Sequence, residues 1–205
     1  TMNCECVAIT LSDLLPVCIG ADQFELPFVV DSGFPTTYSV LFDSVAQSCG
    51  FVNVNKESID RIANEIYIPI PQTVIPGKYQ AQLIFHNLLK KCENPVFNLT
   101  LTVNFSEDMI FQRWGDVLSI VADPTKNYKF QFQDFQWVKN GEKIAGANLS
   151  YYYEADGLDL NTEYQVEVLL PNGVWLTTCS FVPAPYEAPA LQTQKIIENQ
   201  RFIII

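Results

Sequence analysis

The chain has 205 residues, of which 48% are apolar and 17% charged, a balance typical of a folded protein rather than a disordered one. Twenty-three acidic side chains against twelve basic ones give a net charge of −11. An acidic surface repels phosphate backbones and anionic lipid headgroups, so we expect neither nucleic acid nor an anionic membrane as a partner, and the sequence contains no apolar run of membrane-spanning length.

Short alternating runs separated by turn signals predict strands throughout the first half. The predicted strands are 6–10, 16–19, 24–30, 36–42, 51–54, 66–70, 78–86 and 95–104. Alternation is clearest at 77–87, where Tyr79, Ala81, Leu83 and Phe85 share one face. Only 44–48 and 57–64 are candidates for helix, and each is short enough to connect two strands. We predict a β-sandwich over residues 1–104.

A second series of strands begins after 104–108, where the alternation relaxes. The predicted strands are 109–113, 117–122, 129–138, 149–153, 163–170 and 174–181, the last two joined by a turn at Pro171-Asn172-Gly173. These predict a second sandwich over 105–183. The three prolines in 182–191 indicate a stiff linker, placed at 184–194, followed by a C-terminal β segment at 195–205.

Trp137 and Tyr164 mark the centre of the second half. Trp137 lies in an alternating strand that ends at Asn140-Gly141, and Tyr164 opens another strand behind a polar corner. This order resembles an immunoglobulin-like sandwich, with a core tryptophan on strand C and a corner tyrosine before strand F. We therefore predict that Trp137 is buried. The predicted fold class is all-β, with two tandem immunoglobulin-like sandwiches and a C-terminal strand pair.

Residues 17–103 carry a further resemblance. The stretches VCIGADQFELPFVVDSGFPTTYSV, PGKYQAQLIFHN and NPVFNLTLTV resemble immunoglobulin-like repeats of large secreted and surface proteins of the Bacteroidetes. WVKNGEKIAGANLSYY is similar to the domains that end such proteins, and KIIENQRFIII to the start of their C-terminal sorting tails. The resemblance implies export across the cell envelope, a tandem-domain architecture and no catalysis. It also fits our expectation that the chain is a segment of a longer protein.

Six cysteines raise the question of disulfides: Cys4, Cys6, Cys18, Cys49, Cys92 and Cys179. The absence of any CxxC pair, together with a single histidine, argues against a structural zinc site. A Cys18–Cys92 bond is the preferred pair because it would join the first and last strands of one domain. The alternative is that the thiols are free and buried.

Catalytic and metal sites find little support in the sequence. His86 is the only imidazole and is interpreted as a surface or hydrogen-bonded structural residue, and no nucleophile or phosphate-loop motif occurs. The loop 152–163 has acidic residues at some EF-type positions, but Tyr152 stands where an Asp is required. A solvent-facing loop explains these residues equally. We predict no catalytic residues, no cofactor and no metal.

A carbohydrate-binding platform is the second functional hypothesis. The candidates are Tyr151, Tyr153, Trp114 and Trp175, because alternation forces at least one residue of the Tyr151–Tyr153 run onto the outer face. The alternative is ordinary cross-strand aromatic pairing. An exposed set clustered on one sheet would favour glycan binding.

The apolar run Phe202, Ile203, Ile204 and Ile205 has high strand propensity. We predict that 195–205 pairs by strand addition, with its own domain or with a partner chain. If deletion of 195–205 unfolds the protein, the partner interpretation fails. The expected function is a non-enzymatic stalk, adhesin or assembly subunit at the bacterial cell surface or outside the cell, with other protein chains or cell-surface components as partners. A surface glycan-binding module is the alternative.

Overall fold

The computed structural model describes residues 5–60, 63–87 and 91–186, and over these ranges the protein is nearly all β. The described residues form fifteen strands in four sheets, with one α-helix of five residues and a single 3₁₀ turn at Glu107–Met109. The predicted all-β fold class is confirmed. The sequence-predicted segment 195–205, and all but the first residues of the 184–194 linker, lie outside the described residues.

Eight strands form two sheets in the first half. They are β1 (Ala8–Leu11), β2 (Val17–Cys18), β3 (Gln23–Ser32), β4 (Thr37–Phe42), β5 (Val54–Ser58), β6 (Glu65–Pro69), β7 (Gly77–His86) and β8 (Val96–Asn104). One sheet has the order β1-β3-β6 and the other β2-β8-β7-β4-β5. The alternating faces of β3 and β7 bury Phe24, Leu26, Leu83 and Phe85 in a shared core, as the period-2 pattern predicts.

The single helix, α1 (Ser44–Ser48), has the predicted bounds and begins at Asp43, whose carboxylate accepts the Ala46 N–H at 2.7 Å. The helix considered for 57–64 is wrong, because Glu57 and Ser58 belong to β5. There they lie opposite Tyr38 and Thr37 on the edge of the five-stranded sheet. Pairing with β4 supplies backbone hydrogen bonds that a short polar helix would have to form alone.

Seven strands form two further sheets in the second half. They are β9 (Ile110–Arg113), β10 (Val117–Ile120), β11 (Asp134–Lys139), β12 (Glu142–Lys143), β13 (Tyr151–Tyr153), β14 (Tyr164–Leu169) and β15 (Trp175–Thr177). The sheet orders are β13-β10-β9 and β12-β11-β14-β15. β11 and β12 meet at a two-residue turn in which Asn140 and Gly141 both have positive φ, the geometry preferred by tight hairpins.

Trp137 on β11 is fully buried at the centre of the second core, which confirms the prediction made from its alternating strand. Its indole N–H donates to the carbonyl oxygen of Leu149 at 3.0 Å. The strand order in both halves is consistent with an immunoglobulin-like sandwich. The division into two domains at 104/105 stays a prediction, and each half has its own buried cluster.

Candidate functional site

The junction between the two buried clusters has no linker. Val103 belongs to the first cluster and Phe105 to the second, so a single residue, the buried Asn104, separates them. The Phe105 N–H donates to the Thr177 carbonyl at 3.0 Å, and the Cys179 N–H donates to the Phe105 carbonyl at 2.8 Å. The first residue of the second half is therefore hydrogen-bonded to the segment around β15, directly beside Asn104.

Two disulfides are present among the described cysteines, and neither is the predicted Cys18–Cys92 pair. Cys18 is bonded to Cys179, with their Cα atoms 5.9 Å apart, and Cys6 is bonded to Cys92, with their Cα atoms 5.6 Å apart. Cys49 is a free thiol. The predicted pair is therefore wrong.

The strand register explains the correct pairing. β2 runs parallel to β8 and brings Cys18 opposite Asn104, the last residue of β8 and the one beside the junction. Cys179 reaches the same place through its hydrogen bond to Phe105. Cys92 lies in the connection that follows β7, close to Cys6. Sequence alternation does not reveal that the last segment of the second half returns to the first.

Tyr164 forms the predicted corner. Its hydroxyl accepts the N–H of Asp159, five residues upstream, at 3.2 Å and donates to the carboxylate of Glu154 at 2.7 Å. Lys139 forms an ion pair with the same carboxylate at 2.6 Å, and its ammonium lies 5.3 Å from the Tyr164 ring centroid. This cluster fixes the loop before β14 against β11 and β13. It also explains Glu154 without a metal ion.

The Glu154 cluster has an electrostatic consequence. Burial raises the pKa of the Glu154 carboxyl, but hydrogen bonds from Lys139 and Tyr164 together outweigh it and leave the pKa below its ordinary value. The bond to Glu154 in turn raises the pKa of Lys139. A carboxyl with a lowered pKa in the folded state stabilises the fold above its unfolded pKa, about pH 4.5. The stabilisation is lost as the pH falls through the folded value.

We expect Glu154→Gln to lower the free energy of unfolding by about 1–2 kcal/mol at pH 7, because it removes a partly buried, charge-assisted cluster. At pH 3 the difference from wild type shrinks, since the wild-type carboxyl is by then largely protonated. Urea unfolding at both pH values measures it. Glu142→Gln, an exposed change in the neighbouring hairpin, is the control and stays near wild type. A gap that is equal at pH 3 and pH 7 contradicts the electrostatic explanation.

His86 is hydrogen-bonded, as predicted for a structural histidine. Its Nε2 lies 2.8 Å from Ser39 Oγ, and Asn94 Nδ2 lies 3.4 Å from its Nδ1. Burial and the charge of Lys56 lower the pKa of His86. The ring is thus held between neighbouring strands rather than presented to a cleft.

The outer face of the β13-β10-β9 sheet carries the exposed aromatic residues. Phe111, Ser119 and Tyr151 form one cross-strand row, and Arg113, Val117 and Tyr153 form the next. Exposure is 52% for Phe111, 50% for Tyr151 and 55% for Tyr153. The Arg113 guanidinium lies 6.0 Å from the Phe111 ring centroid. We call Phe111, Arg113, Tyr151 and Tyr153 the aromatic face.

Cross-strand aromatic pairing does not account for Tyr151 and Tyr153, because their direct neighbours are Ser119 and Val117. Tyr152 between them points the other way and packs near Trp137 and Tyr164, with ring centroids 6.2 and 6.1 Å apart. Phe111 was not among the sequence candidates. Its alternation within the predicted strand 109–113 was visible, but its neighbours on the sheet were not.

The two remaining glycan candidates lie elsewhere. Trp175 is on β15, at the edge of the other sheet, so it does not join the aromatic face. Trp114 follows β9 with a φ of +56° and 58% of its surface exposed. The Gln112 amide donates to the carbonyls of Trp114 and Ala184, and Gln112 Oε1 accepts the Ala184 N–H. These bonds place Trp114 and Tyr186 on the walls of one groove, of about 460 Å³, along the β9 edge.

In the part of the chain that the structure describes, no group of three or more His, Cys, Asp or Glu side chains is arranged to hold a metal ion. Over the same residues, no helix has the length and hydropathy needed to cross a bilayer. No protein-family model matches the chain, and no curated protein matches it as a relative.

Proposed function

We propose that this chain is a non-enzymatic structural and adhesion segment of a secreted or surface-attached bacterial protein, acting as a stalk, adhesin or assembly subunit. The observation that carries the proposal is the junction: two buried clusters that are one residue apart in sequence and are cross-linked by Cys18–Cys179. Partner chains, including any bound by strand addition through Phe202–Ile205, belong to the proposal.

A fixed relation between the two halves is the property that a stalk requires. Domains joined by an exposed linker move relative to one another by default. Here the chain passes from one core to the next at Asn104, and a covalent bond from β2 to Cys179 spans the same joint. Each connection alone restricts bending, and together they restrict both bending and twisting.

The extracellular placement rests on two supports. Disulfides form and persist mainly in oxidising compartments such as the periplasm and the cell exterior. Of the five cysteines in the described residues, four are paired. The assignment to a bacterial surface rests on the resemblance to secreted Bacteroidetes repeats.

Small-angle X-ray scattering tests the stalk proposal. We expect the wild-type profile to fit a single rigid shape at every ionic strength. The matched variant carries Cys18→Ala and Cys179→Ala with six Gly and Ser residues inserted after Asn104, and we expect a larger radius of gyration and the signature of two independently moving bodies. A wild-type profile that already shows two moving bodies rules out a rigid stalk.

Glycan binding is the second candidate, and the clustering of exposed Phe111, Tyr151 and Tyr153 on one sheet favours it. Exposed aromatic rings supply flat apolar surfaces with polar rims. A glycan array responds if the aromatic face binds carbohydrate. Tyr151→Ala with Tyr153→Ala would then abolish the response, whereas Tyr67→Ala, an exposed tyrosine of β6, would not. If no glycan on the array binds, the glycan-binding candidate is ruled out and the structural function remains as the only proposal.

A further inference from the structure

The two disulfides interleave along the chain: of the four bonded cysteines, the first is joined to the third (Cys6–Cys92) and the second to the fourth (Cys18–Cys179). The Cys18–Cys179 bond closes a loop with a sequence separation of 161. That loop contains every buried member of the first core except Val7, and every buried member of the second core. Apart from Val7, the buried residues of both cores therefore lie within a single covalent loop whose two ends are bonded together.

We propose that this connectivity makes the protein a tension-transmitting segment, in which force applied between the two ends of the chain runs through the Cys18–Cys179 bond and bypasses every buried core residue except Val7. The inference deepens the stalk function proposed above and rests on it for its biological use. The covalent route runs from Cys6 along the chain to Cys18, crosses to Cys179 and continues toward the C-terminus. Of the described strands, only β1 and β2 lie on this route.

The chain geometry sets how far each covalent route can lengthen. A fully extended chain spans at most about 3.3–3.6 Å per residue, so the 12-residue step from Cys6 to Cys18 reaches about 40 Å. Without either disulfide, the route from Cys6 to Cys179 runs through about 173 residues and reaches about 600 Å. Under tension, the cross-linked protein can thus lose the pairing of β1 with β3 and of β2 with β8. The remaining strands cannot be extended, because the Cys18–Cys179 bond carries the force past them.

The second disulfide has a different place in this route. If Cys18–Cys179 is removed, the shortest path crosses from Cys6 to Cys92 and follows the chain to Cys179. That path contains β8 and all strands of the second half, while β1 to β7 remain outside it. If Cys6–Cys92 is removed instead, the path through Cys18 is unchanged. The two bonds therefore have unequal mechanical effects although each joins distant parts of the chain.

Single-molecule force spectroscopy on the full chain, tethered at both ends, tests the inference. We expect wild type and the matched control, Cys6→Ala with Cys92→Ala, to lengthen by no more than about 40 Å between positions 6 and 179. Both proteins keep the Cys18–Cys179 bond, so only the 12-residue step from position 6 to Cys18 can extend. Cys18→Ala with Cys179→Ala is expected to lengthen by about 300 Å, the span of the 87 residues from Cys92 to Cys179. The variant lacking all four cysteines is expected to lengthen by about 600 Å.

Adding a reductant to wild type under tension breaks both disulfides and is expected to give the extension of about 600 Å without any substitution. This measurement does not depend on a variant that folds correctly. A wild-type protein that lengthens by hundreds of ångströms before reduction overturns the inference, as does a Cys18/Cys179 variant that lengthens no more than wild type. The stalk proposal fails separately: scattering that shows two freely moving halves removes it even when the extensions come out as expected.

Discussion

Trp137→Ala is expected to lower the free energy of unfolding of the second core by about 3–5 kcal/mol, as removal of a fully buried tryptophan does elsewhere. The side chain has no exposed surface, and it is the largest of the fully buried residues. Alanine leaves a cavity between β11 and the opposite sheet and strips the Leu149 carbonyl of its indole donor. No disulfide joins the two sheets of this half among the described residues, so packing around Trp137 is the main link between them, supported by the Lys139–Glu154 ion pair.

Urea unfolding measures this change. Trp114 and Trp175 remain as fluorophores, and both lie in the second half. Trp175→Ala is the control, because that side chain is 38% exposed on an edge strand, and we expect a loss of about 1 kcal/mol or less. Equal losses for the two variants would show that Trp137 does not organise the core.

Cys18→Ala with Cys179→Ala is expected to lower the overall free energy of unfolding by up to about 5 kcal/mol. The reason is the conformational entropy of the unfolded chain, which a loop of 161 residues restricts strongly when closed. The same relation gives about 4.5 kcal/mol for the 86-residue separation of Cys6 and Cys92. Magnitude alone therefore does not distinguish the two bonds.

Their effect on cooperativity does distinguish them. All three tryptophans lie in the second half and the single histidine, His86, lies in the first, so tryptophan fluorescence and the imidazole NMR signals report on separate cores. We expect the urea midpoints from the two probes to lie closer together in wild type than in the Cys18/Cys179 variant, because the two halves of the variant unfold separately. The Cys6→Ala, Cys92→Ala control is expected to lower the urea midpoint reported by His86 more than the midpoint reported by tryptophan fluorescence, because the Cys6–Cys92 bond lies within the first half. Unchanged stability in the Cys18/Cys179 variant would mean that the joint is held without the disulfide.

Local features of the fold were predictable because each depends on residues close in sequence. The alternation of β7 fixes which side chains face the core, Asp43 caps α1, and Asn140-Gly141 demands a tight turn. The predicted burial of Trp137 and the corner role of Tyr164 likewise depend on a strand and the loop beside it. The helix considered at 57–64 failed because its competitor, pairing with β4, is not local.

Features that depend on which strands become neighbours were not predictable. Alternation shows that Tyr151 and Tyr153 point away from the core, but not that β10 places them on the same sheet as Phe111. It gives no sign that Trp175 belongs to the opposite sheet. The disulfide pairing failed for the same reason, since Cys18 meets Cys179 only through the junction between the halves.

The order of the four bonded cysteines also bears on how the protein is made. The other five cysteines are synthesised before Cys179. At about 5–20 residues per second, roughly 8–30 s pass between the synthesis of Cys18 and that of its native partner. Rapid oxidation during that interval joins Cys18 to a wrong thiol, and only thiolate attack on the wrong bond can correct it. Correct disulfide pairing is therefore favoured when oxidation begins only after the chain is complete, or when a disulfide isomerase is present where the protein folds.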